Sequence, residues 1–162
     1  MKLKAMFDMQ ATLDSYINEK HQLEKENLIE RKILALLVEV GELANETRCF
    51  KFWSLKPPAS KEKILEEFVD GIHFILSLGL DLSFGKEIEI STEQVEIPLV
   101  SQFISIYNRI AEFQKEQTKE NYQQLFSEYF NLGRILGFTN EETVFAYVAK
   151  NEVNHERQNQ GY

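Results

Sequence analysis

The stretch ILALLVEVGELANETRCF carries glutamates at positions 39, 42 and 46 inside an otherwise apolar run. At roughly 100° per residue, Glu39, Glu42 and Glu46 fall in one arc of about 60° on a helix. A solvent-facing stripe is the ordinary reading of such an arc, and Arg31 and Lys32 lie at its two edges. Exposed glutamates are far commoner than metal ligands. The next periodic stretch, EKILEEFVDGIHFILSLGL, is different. Glu67 lies on the wheel between Phe74 and Leu78 and beside Ile64, inside the apolar arc, and Asp70 flanks it one turn later. A carboxylate turned toward a core is costly unless it is paired or holds a cation. Glu39 and Glu42 form one pair and Glu67 and Asp70 another, each spaced so that both carboxylates share a helix face. If the two helices pack antiparallel, four carboxylates converge. A hard divalent cation removes their repulsion, and an all-oxygen set points to Mg²⁺, with Mn²⁺ as the alternative, rather than to Zn²⁺. Mg²⁺ completes its shell with water and substrate phosphates, so an acidic chain can take a nucleotide through the metal. A di-iron bundle would want Glu-x-x-His on two helices. Asp70 and His73 make only one loosely similar pair.

The elements that would hold these pairs are helices. Only three prolines and seven glycines interrupt the chain, and apolar residues recur at helical spacing. Met6, Met9, Leu13 and Ile17 predict a first helix over residues 4–20, and a second runs over 23–48. Pro57 and Pro58 make CFKFWSLKPPAS a loop, after which Ser60 offers a cap to a third helix over 61–80. EIEI, residues 87–90, alternates and predicts a short extended piece. A fourth helix is expected over 94–117 and a fifth from a Thr118 cap to GRILGF. The sixth is expected from Thr139, whose capping-box partner is Glu142. The expectation is one all-α domain over residues 1–162, a bundle of about six helices.

A net charge of −8 argues against a general nucleic-acid or membrane-surface binder. One cysteine, Cys49, excludes an internal disulfide and fits a reducing compartment. No apolar run approaches the ~20 residues of a membrane span, and the N-terminal stretch lacks a signal-peptide core. A cytoplasmic location is expected.

EVGELANE followed by EEFVDGIHF resembles the all-α nucleoside triphosphate pyrophosphohydrolases, and within them the dimeric dUTPase family, unrelated to the trimeric β-sheet dUTPases. The superfamily pattern of two acidic pairs falls here on Glu39, Glu42, Glu67 and Asp70. The end of the chain, YVAKNEVNHERQNQGY, is more specific. It places Tyr147, Lys150, Asn151, Asn154, Arg157, Gln158, Gly161 and Tyr162 on the family's C-terminal segment. Lys150, Asn154 and Arg157 share one helix face, which suits a polyphosphate; without the upstream motif a solvated terminal helix would be the default. FKFWS resembles the aromatic loop after the first motif, and MFDMQATLD the first-helix segment that holds the uracil edge. Gln10 matches there, while Asp14 stands where several relatives have Asn. The middle stretch EIEISTEQVEIPLVSQF matches no functional motif.

The resemblance implies a homodimer that hydrolyses dUTP to dUMP and pyrophosphate, and dUDP to dUMP and phosphate, limiting uracil incorporation into DNA. Glu39, Glu42, Glu67 and Asp70 would hold Mg²⁺, which neutralises phosphate charge and lowers the pKa of a bound water. Glu39 or Glu42 would orient or deprotonate that water, with Glu46 supporting them. Lys150, Asn154, Arg157 and Tyr162 would bind the phosphates, and the last ~15 residues are expected to be mobile until substrate orders them. Gln10, Asp14, Trp53 and His73 would read the base, with Gln10 offering it both a donor and an acceptor. Two rivals share parts of the pattern: a house-cleaning pyrophosphohydrolase for dCTP or a modified nucleotide, and a non-enzymatic helical interaction module.

Overall fold

The computed structural model describes residues 3–85, 88–90 and 97–161. Six helices account for most of them: α1 Leu3–His21, α2 Ile29–Thr47, α3 Lys61–Asp81, α4 Leu99–Lys115, α5 Lys119–Ile135 and α6 Asn140–Asn159. Among the described residues there is no strand, and no helix is long and apolar enough to cross a membrane.

The helix ends follow local chemistry. Ser60 accepts from Lys63 N, Thr118 accepts from Asn121 N, and Thr139 and Glu142 form the full capping box. Two boundaries differ from the periodicity. The second helix starts at Ile29 rather than near residue 23. Gln22 turns left-handed at φ 57, and Leu23 N reaches back to Asn18 O at 2.9 Å, which closes α1. Asn27 Oδ1 then accepts from Ile29 N at 3.1 Å and opens α2. The fourth helix starts at Leu99, directly after Pro98, because a proline disfavours helical backbone at the residue before it. Its expected start, residues 94–96, lies outside the described residues, as does Glu87 of the expected extended piece. Residues 88–90 are irregular.

Cross-helix bonds fix the packing directions. Glu46 O accepts from Ala59 N, and Lys32 pairs with Asp81 at 2.6 Å, so α2 and α3 are antiparallel as the acidic pairs require. Gln10 meets His73 and Asp14 meets Ser77, which sets α1 parallel to α3. Lys61 meets Glu142 and Asp70 meets Lys150, which sets α6 parallel to α3 as well.

Helix α3 is the axis of the molecule, with an almost unbroken buried run from Glu67 to Gly79. Two tyrosines of α5 lie against its backbone. Tyr129 donates to Phe68 O at 2.9 Å and Tyr122 to Ile75 O at 2.7 Å. Both approaches require glycine: a Cβ at Gly71 would lie 2.0 Å from the Tyr129 hydroxyl oxygen, and one at Gly79 would lie 2.2 Å from that of Tyr122. These contacts hold the rotation of α3, and with it the direction in which its carboxylates point.

Candidate active site

Glu39 on α2 and Glu67 and Asp70 on α3 each place a carboxylate oxygen within 4.8 Å of the others. Glu67 is buried, as its place in the apolar arc predicted, and Asp70 is half-buried. Glu42 is not in this group. It is exposed and lines a neighbouring hollow with Asn45, Glu46 and Glu67. The spacing is not the cause, since Glu67 and Asp70 are also three apart; α2 is rotated so that Glu39 is half-buried and Glu42 is left on its exposed side.

The cluster is electrically tense. Burial raises the Glu39 carboxyl from 4.5 to about 7, and the negative charges of Asp70, Glu42 and Glu67 push the same way. Burial likewise raises Asp70, against the pull of Lys150. Two lysines moderate the charge. Lys63 lies 2.7 Å from Glu67, and Lys150 lies 2.8 Å from Asp70 and 2.9 Å from Glu66. Three converging carboxylates, at least one of them short of counter-charge, fit a hard divalent cation.

Glu39 and Asp70 also border a cleft of about 380 Å³ between α1, α2, α3 and α6, while Glu67 lines the neighbouring hollow. Lys150, Asn154 and Arg157 line it from α6, Gln10 and Asp14 from α1, and His73 from α3. Acidic, cationic and amide groups expected to serve metal, phosphate and base thus share one opening. Gln10 Oε1 lies 2.7 Å from His73 Nδ1 and accepts the Tyr147 hydroxyl at 2.9 Å, while Gln10 Nε2 donates to Asp14 at 2.7 Å. The carbonyl is therefore fully engaged, and Gln10 has only its second amide hydrogen to offer a base. Burial, assisted by the Lys150 charge, pushes His73 down to about 3, so the ring is neutral.

Trp53 is not on the cleft wall. It stands 65% exposed beside Phe50 and Phe52, on a loop held by Arg48, which donates to Ser54 Oγ and to Lys56 O. The loop projects from the far end of α2, so in a single chain its aromatics face outward. Tyr162 lies outside the described residues. The segment from Lys150, expected to be mobile, is helical through Asn159 and docked on α1: Tyr16 bonds Asn159, His21 bonds Gln158, and Tyr16 packs on His155.

Several cleft residues carried no role in the sequence reading. Ser77 donates to Asp14, Lys32 lies 3.9 Å from the same carboxylate, and Phe74 supplies apolar wall. Tyr147 was visible as a motif residue, but its bond to Gln10 joins positions 137 apart in the chain.

No curated protein matches the chain. The model of the dUTPase family matches residues 2–162, as the two acidic pairs and the C-terminal segment had suggested. With essentially its full length covered and its six-helix architecture in agreement, the chain belongs to the all-α dUTPase family, the nucleotide pyrophosphohydrolases that convert dUTP and dUDP to dUMP.

Proposed function

We propose that the cleft carries out this hydrolysis with Mg²⁺ (or Mn²⁺) held by Glu39, Glu67 and Asp70, and with Glu42 completing the set at its edge. The single observation that carries the reading is the convergence of three carboxylates from two antiparallel helices, with Glu39 and Asp70 lining the same cleft as Lys150 and Arg157. Bound there, the cation supplies charge neutralisation for the phosphates and acidifies water. Glu39 or Glu42 would orient the attacking water and accept its proton, with Glu46 supporting them from the same helix. Lys150, Asn154 and Arg157, with Tyr162 from the chain end, hold the phosphates and stabilise charge on the leaving group. Gln10, Asp14 and His73 face the uracil edge. Trp53 acts at the rim, on its projecting loop.

The whole chain acts as one domain, supported by a core that draws on all six helices. The functional unit is a homodimer. Leu34 and Val38 on α2 and Ile104 and Tyr107 on α4 are exposed apolar side chains. The Tyr107 bond to Leu37 O joins the two faces into one surface for a second copy. The free Cys49 fits a cytoplasmic site of action.

Specificity constants for dUTP, dCTP, dTTP and UTP, with Mg²⁺ and with chelator, test the proposal. A preference for dUTP of at least about a hundredfold is expected, over dCTP because cytosine leaves buried polar groups unpaired at ~1–3 kcal/mol each, and over dTTP because its extra 5-methyl group overfills the site. Equal turnover of dCTP would move the enzyme to another base within the class. Full activity in chelator would remove the metal.

A further inference from the structure

A file of hydrogen-bonded side chains runs from the α1–α3 seam to the cleft. Ser77 Oγ donates to Asp14 Oδ2 at 2.5 Å, Gln10 Nε2 donates to Asp14 Oδ1 at 2.7 Å, and Gln10 Oε1 meets His73 Nδ1 at 2.7 Å. The polarity of this file is decided at Asp14. A carboxylate has no proton to give, so it only accepts. Gln10 must then turn its NH₂ to Asp14 and its carbonyl to His73. A carbonyl also only accepts, so His73 Nδ1 carries the ring hydrogen and Nε2 is left as a bare lone pair. That Nε2 is buried without a partner, in a ring only 6% exposed that lines the cleft. The hydroxyls of Ser77 and Tyr147 donate or accept with equal ease and cannot set the direction.

We propose that Asp14 is a positioning residue that acts through Gln10 to fix the tautomer of His73, so that Nε2 is presented as an acceptor for an N–H or O–H of the bound nucleoside. The second half rests on placing the nucleoside in this cleft; the first does not. Asparagine at position 14 would reverse the file. Lys32, whose ammonium lies 3.9 Å from Asp14 Oδ2, can only donate, so an asparagine would turn its carbonyl to Lys32 and its NH₂ to Gln10. Gln10 would turn over, His73 Nδ1 would become the acceptor, and the ring hydrogen would move to Nε2. The Tyr147 hydroxyl accommodates either sense, because it can give its hydrogen to Met6 O at 3.1 Å instead of to Gln10. One isosteric change thus inverts the group that the ligand meets.

Two-bond ¹H–¹⁵N correlation spectra of the ligand-free protein test the tautomer, with His73 assigned by its absence in His73→Asn. In the native chain Nδ1 should show the protonated, pyrrole-type shift and Nε2 the bare, pyridine-type shift. In Asp14→Asn the two should exchange, and in Gln10→Ala, where the file is cut, they should average. A native ring protonated at Nε2 overturns the proposal, as does a ring unchanged in both variants. Steady-state rates test the presentation to ligand. Asp14→Asn should raise KM for dUTP about tenfold, with the loss in KM exceeding that in kcat, because the inverted group meets the nucleoside and not the phosphates. An exchanged tautomer with unchanged KM would leave the positioning role standing, and would overturn the presentation together with the placing of the nucleoside here.

Discussion

Lys150 Nζ lies 2.8 Å from Asp70 Oδ2, so a cation suited to phosphate is paired with a carboxylate suited to metal. The two roles compete for one contact. A divalent cation held by Asp70 would displace the ammonium and leave it free to meet phosphates from α6. Lys150→Ala should therefore tighten Mg²⁺ binding to the ligand-free protein while lowering kcat/KM for dUTP by roughly a hundredfold. Calorimetric titration and steady-state rates check the opposite signs; a variant weaker in both would deny the competition.

Glu67 is buried and paired with Lys63 at 2.7 Å. Glu67→Gln keeps the shape and removes the charge. Circular dichroism should be unchanged, and turnover should fall by roughly a thousandfold, the scale of several kcal/mol of lost charge stabilisation. Native-like turnover in this variant would remove Glu67 from the metal site.

The raised Glu39 carboxyl makes stability depend on pH. Its folded pKa of about 7 exceeds its ordinary 4.5, so the native state holds a proton that the unfolded chain releases. The stabilisation is complete below pH 4.5, declines between 4.5 and about 7, and is gone above. His73 runs the other way: held neutral down to about 3 against an ordinary 6.5, it costs stability as pH falls below 6.5. The difference between native protein and Glu39→Gln isolates the first effect. In chelator, the two should melt alike near pH 4.5, and Glu39→Gln should become increasingly the more stable as pH rises toward 7. A pH-independent difference would count against the proton at Glu39.

Gly71→Ala places a methyl group 2.0 Å from the Tyr129 hydroxyl oxygen. Relief requires α3 and α5 to separate, at ~1–3 kcal/mol or more, the usual cost of overpacking a filled core. Urea unfolding should register that loss, and turnover should fall further than stability alone explains, because α3 carries Glu67 and Asp70. A neutral change would mean that the tyrosine yields freely.

What could be read from the residues was whatever local periodicity encodes. Glu67 stood out because its neighbours on the wheel are Phe74 and Leu78, and the capping box at Thr139 and Glu142 formed as written. The start of α2 was hidden because residues 23–28 continue a helical composition, and nothing in that stretch announces the left-handed turn at Gln22. Glu42 stands as far from Glu39 along the chain as Asp70 does from Glu67, and spacing alone does not show how each helix is rotated about its axis. The file through Asp14, Gln10, His73 and Tyr147 depends on three helices meeting, and no window of sequence contains it. Nor could spacing show that Trp53 would project from its loop rather than wall the cleft.

The parallel seating of α6 on α1 and α3 has a consequence for synthesis. Tyr147 reaches Met6 and Gln10, and Lys150 reaches Asp70, so the cleft closes only when the last helix docks on the first. A nascent chain emerging from the ribosome can bring its acidic helices together long before α6 is available. Until then Lys63 can pair with Glu67 but Asp70 lacks Lys150, and the α1 groove stands open. Translation stalled before α6 would leave Met6, Gln10 and His73 without their Tyr147 contacts, a surface for chaperones and proteases to recognise, and the cleft without its Lys150 and Arg157 wall.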